Sequence, residues 1–517
     1  MSIPKVVGIE EEYAIQLQGD HGLTAFQASC LLVNAYARKA GLRVPGTRLL
    51  WDYGHETPFS DFRGRLFGKN TGQEAISDDE NLRINAILPN GARLYTDHAH
   101  PEYSTPECLS ARSAVACDKA GEMILREALI ATRESIPELK IGLFKNNVDY
   151  WGHSYGCHEN YLMEAEAHEE CLVRNPDKVL RSLVPFLVTR QLFAGAGKVG
   201  SATGENPRQH YALSQRAHFI EQVFGLETTY SRPIINTREE HHADSKRFRR
   251  LHLILGDANM SEFACFLKIG ATQIVLQMLE DHFLNEDLTL RDPVKAMRRV
   301  AEFNFVVELD DGRTIGALDI QRILLAKAEQ YCRSGIGVEV PDAGLILESW
   351  EYALSGLENL TLSKDFELID DPMRLAGRLD WVAKLWLIQR FRSSRNRTWD
   401  SPELRVIDLQ YHNIEPEEGL FAHLESQGLI NRILEDTEIL RAVKHAPPDT
   451  RAYFRGKCIE KFPDEILLVN WEVVGFDHGE VHRMVPLLNP LKGTRDQFEK
   501  VFDRCSNSRE LLEMVQA

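Results

Sequence analysis

Residues 90–107 read NGARLYTDHAHPEYSTPE, and the fold turns on how the middle of that stretch is read. Asn90-Gly91 is a turn signal, and the residues after it, with Tyr95 and Thr96 together, favour extended backbone. Successive side chains of a strand point to opposite faces, so Arg93, Tyr95 and Asp97 share one surface. His98, His100 and Glu102 follow closely. A half-solvated antiparallel sheet also alternates in this way, so one strand alone does not separate a wet surface from a site.

The pattern recurs. In VVGIEEEYAI, Glu10 and Glu12 share a face; in YGCHENYLM, His158 and Asn160 do. In RRLHLILGDANMS, Arg250 and His252 point one way while Leu251, Leu253 and Leu255 point the other. Solvated faces usually carry Lys, Thr, Ser and Gln, and lysine is nearly absent from these positions. Four strands that each present carboxylate, imidazole or guanidinium groups predict faces that converge.

Convergence has a chemical consequence. Glu10, Glu12, Asp97 and Glu102 would repel one another unless cations separated them. Hard divalent cations take such oxygen ligands, and Mg²⁺ commonly joins a few carboxylates to nucleotide phosphates. Arg93, Arg238 and Arg250 suit the phosphates, since guanidinium is a planar, permanently charged fork. His158 and His242 are candidates to complete a cation's shell. No Walker A and no G-x-G-x-x-G motif is present, so a nucleotide would lie on a sheet rather than at a glycine-rich loop.

The rest of the chain sets the frame. Its 517 residues are 43% hydrophobic and 26% charged, an ordinary globular composition. A net charge of −17 argues against non-specific nucleic-acid or membrane binding. Nine cysteines without a C-x-x-C pair, and no leader in MSIPKVVGIE, predict reduced thiols and a cytoplasmic protein. No apolar run approaches the roughly 20 residues of a membrane span.

Periodicity predicts strands at 5–16, 156–163, 250–256 and 403–411, and helices at 24–41, 111–134, 176–194, 262–283 and 318–333. The turn-rich stretch 43–89 is far longer than usual connections. Trp51 and Phe59 are candidates to anchor its ends, and its middle, about 57–80, is expected to be mobile. The residues after KHAPPDT read as a small separate unit.

GIEEEYAI, NGARLYTDHAHPEYSTPE, SYGCHENYLM, RRLHLILGDANMSE, LRVIDLQYH and TRAYFRGKCIEKFP together resemble the Dop/PafA family of the Pup modification system. The matches run along nearly the whole chain. The resemblance implies an α+β, glutamine-synthetase-like fold: a large curved antiparallel sheet flanked by helices, plus a small C-terminal domain. The expected division is a catalytic domain at 1–435, carrying an insertion at about 43–89, and a small domain at 436–517.

One branch of the family ligates the small protein Pup to lysines; the other deamidates Pup's C-terminal glutamine and removes Pup from conjugates. The ligase branch has a short connection before N-G-[SA]-R-L-Y and a motif D-V-G-S-H-P-E-Y, one residue longer than DHAHPEY here. Both features favour the deamidase branch. The first motif is usually G-I-E-T-E-Y-G; GIEEEYAI keeps Glu10 and Glu12, and the additional Glu11 falls on the opposite face.

By the resemblance, Asp97 is the catalytic carboxylate, as nucleophile or as general base. Glu10, Tyr95 and Glu102 match Mg²⁺ positions, and Arg93, Thr105 and Trp471 match nucleotide positions. His242, in HHAD, matches the family's P-H-A-D histidine. The implied cofactors are Mg²⁺ and ATP (or ADP plus phosphate), bound rather than consumed. The implied partners are Pup and pupylated proteins, with a functional link to the bacterial proteasome. Two other readings remain: an ATP-consuming ligase, and a catalytically silent binder of Pup or nucleotide, which the intact acidic set disfavours.

Overall fold

The computed structural model describes every residue except 1, 20–21, 43–47, 55, 67–75, 201–209, 364–365, 370–371, 480 and 517. Its centre is an eight-stranded sheet. Across the sheet the strands run Ile220–Gly225, Arg232–Asn236, Phe248–Leu253, Cys157–Glu164, Val7–Glu12, His100–Ser104, Arg93–Asp97 and Asn85–Ile87. The α+β class with a large sheet and flanking helices stands.

All neighbours are antiparallel except the first two, which are parallel, so the sheet is mixed at one edge. Residues 226–231, a segment of bends, return the chain to the same end of the sheet. The predicted strand at 5–16 is two, Val7–Glu12 and Ala14–Gln18, and the second leaves the large sheet to pair with Lys140–Phe144.

The register places Ile9, Glu159, Leu253 and Ile235 in one row across four strands, facing helices. Helix Ala111–Ser135 starts where Ser110 Oγ accepts the Ser113 amide at 3.0 Å. Helix Glu262–Glu280, capped in the same manner by Ser261, is buried on every side. It is long and apolar enough to cross a membrane, but an all-round apolar helix enclosed by protein is a core helix.

Between these helices and the sheet lies a buried ionic layer. Lys145 reaches Asp118 at 2.5 Å and Glu122 at 3.0 Å, and Arg190 clasps Glu159. Glu11 joins this layer with one carboxyl oxygen unpartnered; burial pushes its carboxyl up to about 8. All nine cysteines are free.

Two predicted elements differ. Residues 403–411 form a helix, Glu403–Tyr411, not a strand. Val406 and Ile407 suggested extended backbone, but the buried residues are Leu404, Asp408 and Tyr411, spaced as one helix face. The expected helix at 176–194 is broken into Val179–Leu183, wound with wider turns, then Val184–Thr189 and Gln191–Ala194. Pro185 explains the first break, since it cannot donate to the preceding turn.

The C-terminal segment forms a second sheet of Ile466–Val469, Val473–Asp477 and His482–Pro486. Its fourth strand is Leu50–Trp51, from the long 43–89 stretch, parallel to Ile466–Val469. Trp51, Ile87, Phe454, Val469, Phe476 and Phe502 share its core. Helix Asp436–Lys444, by contrast, places Ile439 and Ala442 in the large core.

Much of the stretch expected to be mobile lies outside the described residues, at 67–75. The rest is held: Ser60–Asp61 pairs with Arg65–Leu66, and Asp78–Ile84 is a helix capped by Ser77. Asp61, 2% exposed, is the distal anchor; Phe59, 47% exposed, is not. Residues 48–54 and 56–63 thus form a strap from the second sheet to Thr237 and Glu239, just past the strand Arg232–Asn236 of the first.

Candidate active site

Three rows of the large sheet carry the site. Glu10 lies opposite His158 and Ser104, and Ser104 lies opposite Arg93. In the next row toward one end, Glu12 faces Glu102, and Glu102 faces Tyr95. Beyond it Asp97 is paired with His100, at the tip of the strand pair. The alternation seen in the sequence therefore does converge on one face.

Glu10 is held from two sides: Asn160 donates to Oε1 at 2.9 Å, and His158 Nδ1 lies 3.2 Å from Oε2. Burial alone would raise its carboxyl, but the His158 hydrogen bond together with the electrostatic pull of His252, His158 and Arg250 outweighs it and holds the group well below the usual range. His252 Nε2 is 3.7 Å from the same oxygen, yet neither ring nitrogen has a hydrogen-bond partner. Burial, then Arg250, pushes this imidazole well down, so it is neutral and offers a lone pair.

Glu102 is the opposite case. Burial, then Asp97, Glu12 and Glu10, raises it well above the carboxylate range, and Tyr95 donates to it through a short contact. Like charges crowd here, and a cation would separate them. Glu12 is fixed by the Gly156 amide at 2.8 Å. A side chain at 156 would come within 2.6 Å of that Glu12 oxygen and 2.5 Å of His158 Nε2, so it would displace these two site groups.

Two donor sets emerge, Glu12–Asp97–Glu102 and Glu10–His158–His252, each with ligand atoms within 4.8 Å of one another. The first is all oxygen and suits a hard cation such as Mg²⁺. The raised Glu102 carboxyl and the unpartnered His252 nitrogens both fit a missing cation. Asp97 sits at the exposed end of its set, with His98 Nδ1 3.0 Å from its Oδ2. His98 has a left-handed backbone (φ 51°), and the Asp97 hydrogen bond raises its imidazole above the usual range.

Beside the Glu10 row opens a cleft of about 90 Å³. Gly8, Thr105, His242, Arg250, Arg451 and Trp471 are among its walls. Arg250 donates to Asn160 Oδ1 at 2.7 Å and to Glu240 Oε2 at 2.9 Å. In the cleft wall Glu107 bridges Arg451, at 2.7 Å, and Arg455. Burial opposes that carboxylate's charge, but the two guanidinium groups hold it at about 2.

The strap roofs the neighbouring Arg93. Its guanidinium carbon lies 4.0 Å from the Trp51 ring centre and 3.8 Å from that of Tyr95. Tyr53 accepts from it at 3.0 Å and Asn85 at 2.7 Å. Trp51 meets Trp471 edge to face at 5.1 Å.

The structure thus brings Glu10, Glu12, Tyr95, Asp97, Glu102 and His158 together, with Arg93, Thr105, Arg250 and Trp471 around them. It does not bring His242 into either donor set: His242 stands in the cleft wall, where burial and Arg250 push it well down. Arg238 lies outside the cleft walls, under the strap, bonded to Thr228 Oγ1 at 3.2 Å. Sequence reasoning left His252 out of the candidate donor set, although it shared a face with Arg250. It also missed Glu107 with Arg451 and Arg455, and Trp51 and Tyr53 over Arg93, which only tertiary pairing reveals.

Among known proteins, the family model described as Pup-ligase protein matches residues 5–475. The chain is 43% identical to a depupylase of Acidothermus cellulolyticus, across 98% of both chains. It is 40% identical to a Pup deamidase/depupylase of Mycolicibacterium smegmatis, across 99% of both. A solved structure of the Pup ligase PafA in complex with ADP aligns with a TM-score of 0.71 at 33% identity, covering 85% of this chain and 97% of that one.

Proposed function

Because the chain belongs to the Pup-ligase protein family, we propose that it is a Pup deamidase and depupylase. It hydrolyses the side-chain amide of Pup's C-terminal glutamine and cleaves the isopeptide bond between Pup and a substrate lysine. The observation that carries this over ligation is the end-to-end alignment with depupylases. The Pup ligases of Acidimicrobium ferrooxidans and Kineococcus radiotolerans align in sequence with 83% and 85% of this chain.

ATP, or ADP plus phosphate, would lie in the cleft, with Trp471 and Thr105 at its walls and Arg93 and Arg250 toward the phosphates. Glu10, Glu12, Tyr95, Glu102, His158 and His252 would hold Mg²⁺. When bound, Mg²⁺ would supply the positive charge that lets the crowded carboxylates ionise together and that stabilises charge developing on the amide oxygen.

The chain's own contribution centres on Asp97. An amide is a weak electrophile with a poor leaving group, so a nucleophile or base must stand at the carbonyl. Asp97 is the carboxylate of the acidic set nearest solvent, at the open end where a protein-linked side chain can enter. His98 fixes one of its oxygens and leaves the other free. As nucleophile it would form an anhydride that water hydrolyses; as base it would take a proton from water. In both routes water is consumed and ammonia or the lysine amine departs.

The test is incubation with ATP, Mg²⁺ and glutamine-ended Pup, read by mass spectrometry for the replacement of NH₂ by OH. The wild type should convert Pup, and Asp97→Asn should lose at least about 100-fold in rate while still binding nucleotide. ADP release in step with new conjugate would instead establish ligation.

A further inference from the structure

At the Asp97 end of the sheet stand two arginines without an acidic partner. Arg216 is 1% exposed; its guanidinium donates to the carbonyls of Ile254 and Tyr155 and to Ser154 Oγ. Arg232, partly buried, donates to the Thr228 carbonyl at 2.8 Å and the Ser154 carbonyl at 2.7 Å. Among the described residues no carboxylate lies within ion-pair distance of either. Arg190, Arg250, Arg451 and Arg455 near the sheet each have one, whereas Arg93, 6% exposed, is held by Tyr53 and Asn85. Burial and then Arg216 lower Arg232 to about 10, a strong perturbation for a guanidinium. A buried cation left unpaired is unfavourable, and an anion arriving from outside relieves it.

The register says which anion. Ile9, Glu159, Leu253 and Ile235 form one row. Arg232 begins its strand at the same end of the sheet where Glu12 ends its own. Arg250 pairs with Leu162 and lies on the other side of the Glu10 row, at the cleft. The phosphate-facing arginine and this unpaired one therefore occupy opposite ends of the face, with the acidic set between them.

The proposed substrate reacts through the side chain of its last residue. Its α-carboxylate is therefore free in the glutamine form, in the conjugate and in the product. We propose that Arg232, backed by Arg216, binds this terminal α-carboxylate and so restricts the reaction to a glutamine or glutamyl linkage at the very end of the chain. A guanidinium fork matches a carboxylate in shape and charge. One contact would serve both deamidation and depupylation, since both substrates present the same group. The inference rests on the Pup reading, and it concerns binding, so it is tested apart from turnover.

The experiment measures, by calorimetry with Mg-ATP present, the affinity of glutamine-ended Pup and of the same protein with its terminal α-carboxylate converted to a carboxamide. The wild type should prefer the free acid by roughly 10- to 100-fold, the range of a hydrogen bond to a charged group. Arg232→Gln should bind both forms equally weakly, Arg232→Lys should recover part of the preference, and ATP affinity should stay within about twofold. A wild type that binds both forms alike, or a glutamine variant that keeps the preference, overturns the proposal. Loss of ATP affinity in the variants with the preference intact would make this a phosphate site and also overturn it. Discrimination without any deamidation would support the clamp while refuting the hydrolase reading.

Discussion

Replacing Glu107 by glutamine tests how the second sheet is fastened to the first. Glu107 lies just past the strand His100–Ser104, and its side chain is 13% exposed; Arg451 and Arg455 on the other side are 3% and 1% exposed. Its carboxyl sits at about 2 against an ordinary 4.5. At about 1.4 kcal/mol per unit, that is about 3 kcal/mol of favourable interaction. Burial pushes Arg451 below its own usual range, which offsets part of the gain, so about 3 kcal/mol is an upper value. Glutamine keeps the shape and can still accept a hydrogen bond, but it leaves two buried guanidinium groups without a counter-charge.

The sign follows from the depressed value. The stabilisation is complete above about pH 4.5 and disappears as pH falls toward 2. Urea unfolding followed by tryptophan fluorescence should place Glu107→Gln some 2–3 kcal/mol below wild type at pH 7, with the gap closing on acidification. ATP affinity should fall as well, because Glu107 and Arg451 line the cleft. A gap under about 1 kcal/mol at pH 7, or one indifferent to acid, would refute the account of this triad.

Three further perturbations probe other parts. His252→Ala and Glu10→Ala should each weaken Mg-ATP binding at least tenfold in calorimetry; unchanged affinity would return these side chains to a structural role. Trp51→Ala removes the ring over Arg93, and a loss of roughly 0.5–2 kcal/mol predicts about 2- to 30-fold weaker nucleotide binding. Intact affinity there would separate the strap from the site. Glu11→Gln fixes the neutral form of a carboxyl raised to about 8. The wild type loses stability as pH rises from about 4.5 to 8, since the unfolded chain ionises first, and the variant should not. Parallel melting curves at pH 5 and pH 8.5 would mean that Glu11 is ionised against Lys145.

The polar face of the sheet was legible because strand period two is a local property: Glu10 and Glu12, His158 and Asn160, and Arg93, Tyr95 and Asp97 announce themselves by spacing. The helix Glu403–Tyr411 was misread because Val406 and Ile407 carry strand propensity, while its buried residues obey the helical period. His252 shared the polar face but has no sequence mark distinguishing a ligand from a neighbour. What escaped entirely was long-range pairing. Nothing near Trp51 points to Trp471 or Arg93, and nothing near Glu107 points to Arg451. The role of Glu11 escaped too, since Lys145 and Asp118, which surround it, arrive from distant parts of the chain.

The parallel strand Leu50–Trp51 also imposes an order on biosynthesis. Asp52 accepts a hydrogen bond from Asn470, 418 positions later. At ribosomal speeds that interval takes roughly 20 to 80 seconds. Throughout it the nascent chain can complete the strands bearing Glu10, Asp97 and His158. Until residues 466–469 emerge, Trp51 lacks the strand it pairs with, and the cleft lacks Trp471. A polypeptide ending early would carry the acidic face without its nucleotide wall, so catalytic competence should arise only near the end of translation.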